Sequence, residues 1–231
     1  MNSFYYYGID SLYVYLVLPA LIIAIWSQIR VKTTFSKYSQ FRCNTTGAEA
    51  ARRVLDANGV TGVKIERVSG NLTDHYDPKT NVIRLSESVF DTASIAAVGV
   101  AAHEAGHAVQ YAKGYGAIKL RSFILPVSQL GSQLAMPLFI IGLIFNFYFL
   151  IKLGVIFFCA ALFFQLITLP VEFNASRRAL NSISANFILT DEKQIKGAKK
   201  VLSAAAMTYV AALLVSLTQL IRLLAISNRR R

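Results

Sequence analysis

Three stretches of this chain, Leu12 to Ile29, Ile124 to Phe145 and Leu150 to Pro170, are almost free of charge over the length a helix needs to cross a bilayer. A hydrocarbon layer of about 30 Å takes roughly 20 helical residues, and with no water inside it the backbone must satisfy its own hydrogen bonds. These segments therefore read as spanning helices. The composition agrees: 55% of residues are hydrophobic, 16% are charged and the mean hydropathy is +0.47. A soluble domain carries about a quarter charged residues. Val201 to Ile226 is apolar again, but Arg222 interrupts it, and Ala204, Ala205, Ala206, Ala211 and Ala212 allow close helix approach. It is either a fourth span or a helix packed within the protein.

The first stretch is followed by Arg30 and Lys32, the reverse of the charge order in a cleavable signal peptide. With Trp26 and Tyr5, Tyr6 and Tyr7 as interfacial residues, it reads as an anchor with its N-terminus outside. The link Asn146-Phe147-Tyr148 is so short that the second and third spans must form an antiparallel hairpin. Gln129, Gln133 and Gln165 read as hydrogen-bond partners between helices, and the lack of an acidic residue in either span argues against a proton relay or transporter.

The net charge of +12 comes without a basic recognition motif or an aromatic-basic alternation in a soluble segment, so nucleic acid is not an expected partner. The cations instead report orientation and attraction to anionic lipid. Arg30, Lys32, Lys37, Arg42, Arg52 and Arg53 follow the first span, Lys113, Lys119 and Arg121 precede the second, and Arg177, Arg178, Lys193, Lys196, Lys199 and Lys200 follow the third. All three groups fall on one side, which the positive-inside rule makes the cytoplasm. Arg229, Arg230 and Arg231 conflict with this if Val201 to Ile226 crosses. Two cysteines, Cys43 and Cys159, give no disulfide framework.

Arg30 to Arg121 is the one extended polar region. Thr46-Gly47-Ala48-Glu49 reads as a capping box opening a helix that runs through Ala57 and stops at Asn58-Gly59. Val63 to Val68, Leu72 to Tyr76 and Val82 to Leu85 read as short strands, the last two joined by Asp77-Pro78-Lys79-Thr80-Asn81. A small antiparallel sheet is expected, leading into an alanine-rich helix.

That helix carries His103-Glu104-Ala105-Gly106-His107 within Ser94 to Ala112. Residues four apart lie about one turn apart, so the two imidazoles share a face and can hold one metal ion. Glu104 is one residue further round, placed to act on a water at the metal without displacing it. Two imidazoles with a carboxylate base at this spacing are the zinc-peptidase arrangement. An accidental match on an amphipathic helix is the other reading, weakened because only three histidines exist and two are here. The third, His75, is either a turn-proximal polar residue satisfied by its neighbours or, with Tyr76, a donor to substrate or a developing oxyanion.

Zinc bound by two histidines needs a third protein ligand and leaves one position for water. His75 and Glu172 lead, and spacing does not exclude Asp74, Asp77, Glu87 or Asp91. Glu172 stands just past Pro170, which is expected to end the span so that a new helix begins there. The hairpin returns the chain to the face it left, which can bring Glu172 to the motif helix; pairing with Arg177 or Arg178 is its alternative fate. Thr190 is expected to cap a further helix with Asp191 and Glu192 in its first turn.

With His103-Glu104-Ala105-Gly106-His107, the hydrophobic hairpin and Glu172-Phe173-Asn174-Ala175-Ser176, the chain resembles the bacterial membrane-bound neutral zinc metallopeptidases of the zinc-peptidase type 2 family. The likeness extends to the amino-terminal span, to Leu72-Thr73-Asp74-His75-Tyr76-Asp77-Pro78 and to the alanine-rich tail. It is similar, more distantly, to the heat-shock and CAAX-prenyl integral-membrane gluzincins, which carry a later E-F-x-A-D pattern. The resemblance implies His103, His107 and Glu172 as zinc ligands and Glu104 as base. It also implies that Val82 to Leu85 is an edge strand on which an extended peptide pairs. Where that pattern has a carboxylate helping to orient a ligand histidine, this chain has Ser176, which can hydrogen-bond but brings no charge.

The expected fold is thus mainly α and integral to the membrane, with three to four transmembrane helices and a small α+β zincin-like catalytic domain holding a short antiparallel sheet. Its parts are a 1–29 anchor, a 30–122 metallopeptidase part, a 123–170 hairpin, a 171–200 third-ligand segment and a 201–231 apolar helix with basic tail. The expected function is multi-pass cell-membrane zinc endopeptidase, with one Zn2+, the site on the cytoplasmic side, and a peptide or membrane protein as substrate. The alternative is a zinc-stabilised membrane scaffold without turnover. Oligomeric state is not readable from the sequence.

Overall fold

The computed structural model describes residues 11–228, so Tyr5, Tyr6, Tyr7 and the tail Arg229, Arg230, Arg231 lie outside the described residues. Its helices are α1 (Leu18–Ser39, entered through a π-helical turn at Tyr13–Val17), α2 (Gly47–Ala57), α3 (Glu87–Phe90), α4 (Ile95–Ala112), α5 (Gly116–Ile144), α6 (Tyr148–Ala185) and α7 (Glu192–Asn228). Strands β1 (Lys64–Val68), β2 (His75–Asp77) and β3 (Val82–Ser86) lie between α2 and α3. Four helices, Tyr13–Ser39, α5, α6 and α7, are long and apolar enough to cross a membrane. This is a mainly α membrane protein with a small α+β part. Val201 to Ile226 lies wholly inside α7, one of those four helices.

Two compact units form, each from segments separated in sequence. One takes the segment up to Gln28, Leu120–Leu169 and the segment from Thr208; the other takes Ile29–Lys119 and Pro170–Met207. In the first, α5 and α6 are joined by a tight turn in which Asn146 takes φ 52° and the Phe147 amide donates to the Gly142 carbonyl at 2.8 Å. Asparagine tolerates that left-handed conformation. Along the hairpin, glycines let backbones meet: a Cβ added to Gly131 would sit 2.7 Å from the Phe157 carbonyl oxygen, and one on Gly154 2.7 Å from that of Ala135. Phe139, Ile151 and Val155 of the hairpin form a buried cluster with Leu223 of α7.

Pro170 does not end a helix, contrary to the sequence reading. Helix α6 runs through it to Ala185, just as α5 runs through Pro126 and Pro137. An internal proline removes one backbone donor and tends to kink a helix, but long apolar helices keep their course when the flanks are packed. Glu172 therefore sits inside a continuous helix.

In the second unit α2, α4, β1, β3 and the ends of α6 and α7 share one apolar core containing Leu55, Ile83, Leu85, Val98, Ile183 and Leu202. The capping box on α2 is formed: Thr46 Oγ1 accepts from the Glu49 amide at 3.3 Å, and the Glu49 carboxylate from the Thr46 amide at 2.9 Å. Gly59 beyond it has φ 67°. The entrance to α7 is capped by Asp191, which accepts from the Lys193 amide, one residue later than expected.

The sheet order is β1-β3-β2. β2 and β3 are antiparallel, as a hairpin requires, but β1 runs parallel to β3 with Lys64 opposite Val82. The sheet is therefore mixed rather than antiparallel. The expectation that Val82 to Leu85 forms an edge is also corrected, because β3 is the central strand and β1 and β2 are the edges. The near-continuous burial of β3 is the physical reason: a strand rich in Val, Ile and Leu is covered best in the middle.

Candidate metal centre

Helix α4 begins at Ser94, whose hydroxyl accepts from the Ala97 amide, and its alanines at 96, 97, 101, 102, 105 and 108 are all buried. Small side chains on every face let neighbouring elements approach its axis. The closest approach is at Gly106, where an added Cβ would lie 2.7 Å from the Ala175 carbonyl oxygen of α6. No other residue type fits there without movement of one backbone. The glycine within His103-Glu104-Ala105-Gly106-His107 thus fixes how near Glu172, three residues before Ala175 (175 − 172), comes to the histidines.

His103, His107 and Glu172 converge, with potential ligand atoms all within 4.8 Å of one another. Glu172 Oε2 lies 3.2 Å from His103 Nε2 and 3.6 Å from His107 Nε2. Ligands about 2.0–2.1 Å from a tetrahedral ion are separated by about 3.4 Å, so the set fits a single zinc ion. The two imidazole rings stand edge to face, 4.7 Å apart at their centroids. Glu172 is 3% exposed and His107 9%; a buried carboxylate facing two imidazole nitrogens is costly without a cation to share. Among the described residues this is the only group of its kind.

The remaining ring nitrogens are also held. His107 Nδ1 is 3.0 Å from Gln110 Oε1, and Gln110 Nε2 donates to the Val171 carbonyl at 2.8 Å and to Asn174 Oδ1 at 3.0 Å. Those two acceptors fix which end of the amide faces His107: its oxygen, so Nδ1 carries the proton and Nε2 keeps its lone pair for a metal. Arg178 Nε in turn donates to Asn174 Oδ1 at 2.8 Å. His103 Nδ1 is 3.1 Å from Ser176 Oγ, which can accept its proton and leave Nε2 for the same ion. Ser176 thus stands at the expected orienting position. Gln110, fully buried, was not anticipated; the available signal was an amide three residues beyond a ligand-type histidine in an alanine-rich helix.

Charge in the site favours a cation. Burial works against protonating His107, but the facing Glu172 carboxylate and the charge of Glu104 outweigh it and raise its pKa. Glu104 is half-buried and, among the described residues, makes no hydrogen bond or ion pair. Its field also reaches Asp74, whose carboxyl is raised chiefly by burial against two opposing hydrogen bonds from Ser86.

The other sequence candidates lie outside the cluster. His75 is exposed on β2 with Nδ1 2.8 Å from the Thr73 carbonyl, so Nδ1 is the donor and Nε2 could donate to an oxyanion only from the charged ring. Tyr76 packs on Tyr111 and donates to Asn81. Asp74 accepts from Ser86, Asp77 takes the Lys79 amide and Thr80 hydroxyl in the hairpin turn, Asp91 pairs with Arg67, and Glu87 is exposed on α3.

Four helices apolar enough to cross a membrane, and a two-histidine, one-glutamate cluster built between α4 and α6 with Glu104 next to a ligand-type histidine, define a membrane protein of the metallopeptidase class. Residues 13–228 match the family described as "Putative neutral zinc metallopeptidase", and the chain belongs to that family. It is 52% identical over 214 residues, 91% of this chain and 94% of the relative, to the "Putative membrane protease YugP" of Bacillus subtilis (strain 168). No solved structure matches it.

Proposed function

We propose that the protein is a gluzincin-type endopeptidase of the cell membrane, in which His103, His107 and Glu172 hold one zinc ion and Glu104 is the general base. The observation that supports this best is the convergence of Glu172 Oε2 on both Nε2 atoms while each Nδ1 is engaged elsewhere. Zinc bound there would supply Lewis acidity to a water and to the scissile carbonyl. Glu104 takes the proton of the attacking water and passes it to the departing amine. Ser176 and Gln110 hold the imidazoles in the ligating tautomer. The peptide carbonyl's developing charge needs a further donor, for which His75 as imidazolium and Tyr76 are the candidates. The cations that follow the first and third spans and precede the second support a site at the cytoplasmic surface, against Arg229, Arg230 and Arg231, and the substrate would then be a membrane protein or membrane-proximal peptide.

The alternative of a scaffold stabilised by zinc has less support, since a structural site closes with a fourth protein ligand and has no use for Glu104. Glu104→Gln separates the two readings. The amide keeps the size of the side chain but accepts no proton, so peptide cleavage should fall by about two to four decades with zinc retained. Equal cleavage by variant and parent would end the mechanism, and zinc loss would make Glu104 a ligand.

A further inference from the structure

The second unit contains a cavity of about 910 Å³ whose lining belongs wholly to that unit and includes none of His103, Glu104, His107 or Glu172. Three cations line it, Arg30, Arg177 and Lys199, and no carboxylate does. Among the described residues neither Arg177 nor Lys199 makes an ion pair. With no carboxylate in the lining, holding Arg177 and Lys199 at one concavity is unfavourable by mutual repulsion unless an anion enters. The rest of the wall decides what carries that anion. Phe173, Leu202 and Met207 are apolar, and Phe173 is 45% exposed, so the cavity offers a cationic part and a greasy part side by side.

Chain position gives the setting. The lining includes Arg30, Pro170 and Met207, which stand where α1, α6 and α7 each pass between their apolar runs and their charged segments. That is the level of a lipid headgroup in a helix that spans a bilayer. A freely diffusing phosphate has no need of the apolar wall, and a peptide backbone carries no fixed anionic group for the cations to hold. We infer that this cavity binds an anionic phospholipid, its phosphodiester held by Arg30, Arg177 and Lys199 and its proximal acyl chain against Phe173, Leu202 and Met207. The inference does not depend on peptidase turnover. The lipid would lie behind the metal centre: Ser176 and Asn174, which also line the cavity, reach His103 and, through Gln110, His107.

The test uses the full chain purified in detergent and examined by native mass spectrometry while phosphatidylglycerol or phosphatidylcholine is titrated. The parent should retain one phosphatidylglycerol per chain in preference to phosphatidylcholine, with no displacement by millimolar inorganic phosphate. Arg177→Gln with Lys199→Gln should weaken retention about 30-fold, since each cation near a lipid surface contributes about one decade or slightly less. Both side chains are exposed, so folding should survive, and Arg177→Lys with Lys199→Arg should restore binding. Lys64→Gln with Lys113→Gln, which removes two exposed cations elsewhere on the unit, should change nothing. Equal retention by the Arg177/Lys199 double variant and the parent would overturn the proposal. So would competition by inorganic phosphate, which would make it a free-phosphate site, or displacement of the lipid by an acidic peptide, which would make it part of the substrate path.

Discussion

The α4–α6 contact and the α5–α6 contact use the same packing device for different ends. In each a glycine removes a side chain so that a backbone carbonyl can come within 2.7 Å of where a Cβ would be, Gly106 against Ala175 in one and Gly131 against Phe157 in the other. The hairpin contact brings together apolar side chains such as Phe139, Ile151 and Val155. The α4–α6 contact brings together Glu172, His103, His107, Gln110, Asn174 and Ser176, each hydrogen-bonded to another of the set. Close approach is therefore a general means of packing helices here, and it makes a site only where polar residues line both sides of it.

The largest effect should come from emptying the polar contact. Glu172→Ala removes the charged donor, and zinc affinity measured by competition with a chelator should fall about a thousandfold or more. His75→Ala should leave zinc in place, because that ring lies outside the cluster. If instead the His75 variant lost zinc and the Glu172 variant kept it, the site would be a three-histidine one.

Adding a methyl at each glycine tests the comparison directly. Gly106→Ala and Gly131→Ala each force a backbone apart, a cost of about 1–3 kcal/mol offset by up to about 1 kcal/mol of helix propensity. Both should lower thermal stability by a few degrees, but only Gly106→Ala should also weaken zinc binding, by about tenfold or more, since it moves Glu172. Equal zinc loss in both variants would mean that the two contacts are not independent.

The local parts of this site were legible because helix periodicity is local. His103 and His107 had to share a face of α4, and the alanines around them had to form a helix. Glu172 was different: 65 residues separate it from His107 (172 − 107), and family likeness rather than spacing singled it out. What places it is the mating of Gly106 with Ala175, a pairwise fit of two surfaces that neither segment's pattern records. Gln110 escaped notice because its role depends on acceptors of α6, the Val171 carbonyl and Asn174. The strand order failed for a similar reason, since the alternation in β1 and the apolar run in β3 mark what they bury but not their partners or direction. Pro170 misled because the rule that proline breaks helices weighs one lost bond against a helix in water, and α6 is neither short nor surrounded by water alone.

Acid should also distinguish the two contacts. His107 is raised above its ordinary 6.5, so in the metal-free protein its ionic contact with Glu172 is fully present below that value and lost as pH rises through the raised one. Zinc has the opposite requirement, a neutral ring. Affinity should be level above the raised pKa and fall by up to about tenfold per pH unit beneath it. The destabilisation caused by Gly131→Ala should show no such dependence. A flat zinc profile from about pH 8 to about pH 5 would mean that no imidazole proton is displaced.

The finest comparison separates the two residues that orient the imidazoles. Gln110 is fully buried, so Gln110→Ala leaves the His107 Nδ1 proton without its acceptor and the Val171 carbonyl without its donor away from solvent, and zinc affinity should fall about 10- to 100-fold. Ser176→Ala removes the corresponding acceptor from His103, but that side chain is 16% exposed and water can take the hydroxyl's place. Its loss should be about tenfold or less. Ser176→Asp supplies the carboxylate found at this position in the E-F-x-A-D pattern and should raise zinc affinity above the parent's, because a charged acceptor makes His103 a more basic ligand. Isothermal titration with zinc and a competing chelator reads all three variants. A Ser176→Ala defect as large as that of Gln110→Ala would show that burial does not set the order. Unchanged affinity in Ser176→Asp would show that the hydroxyl already does all that this position requires.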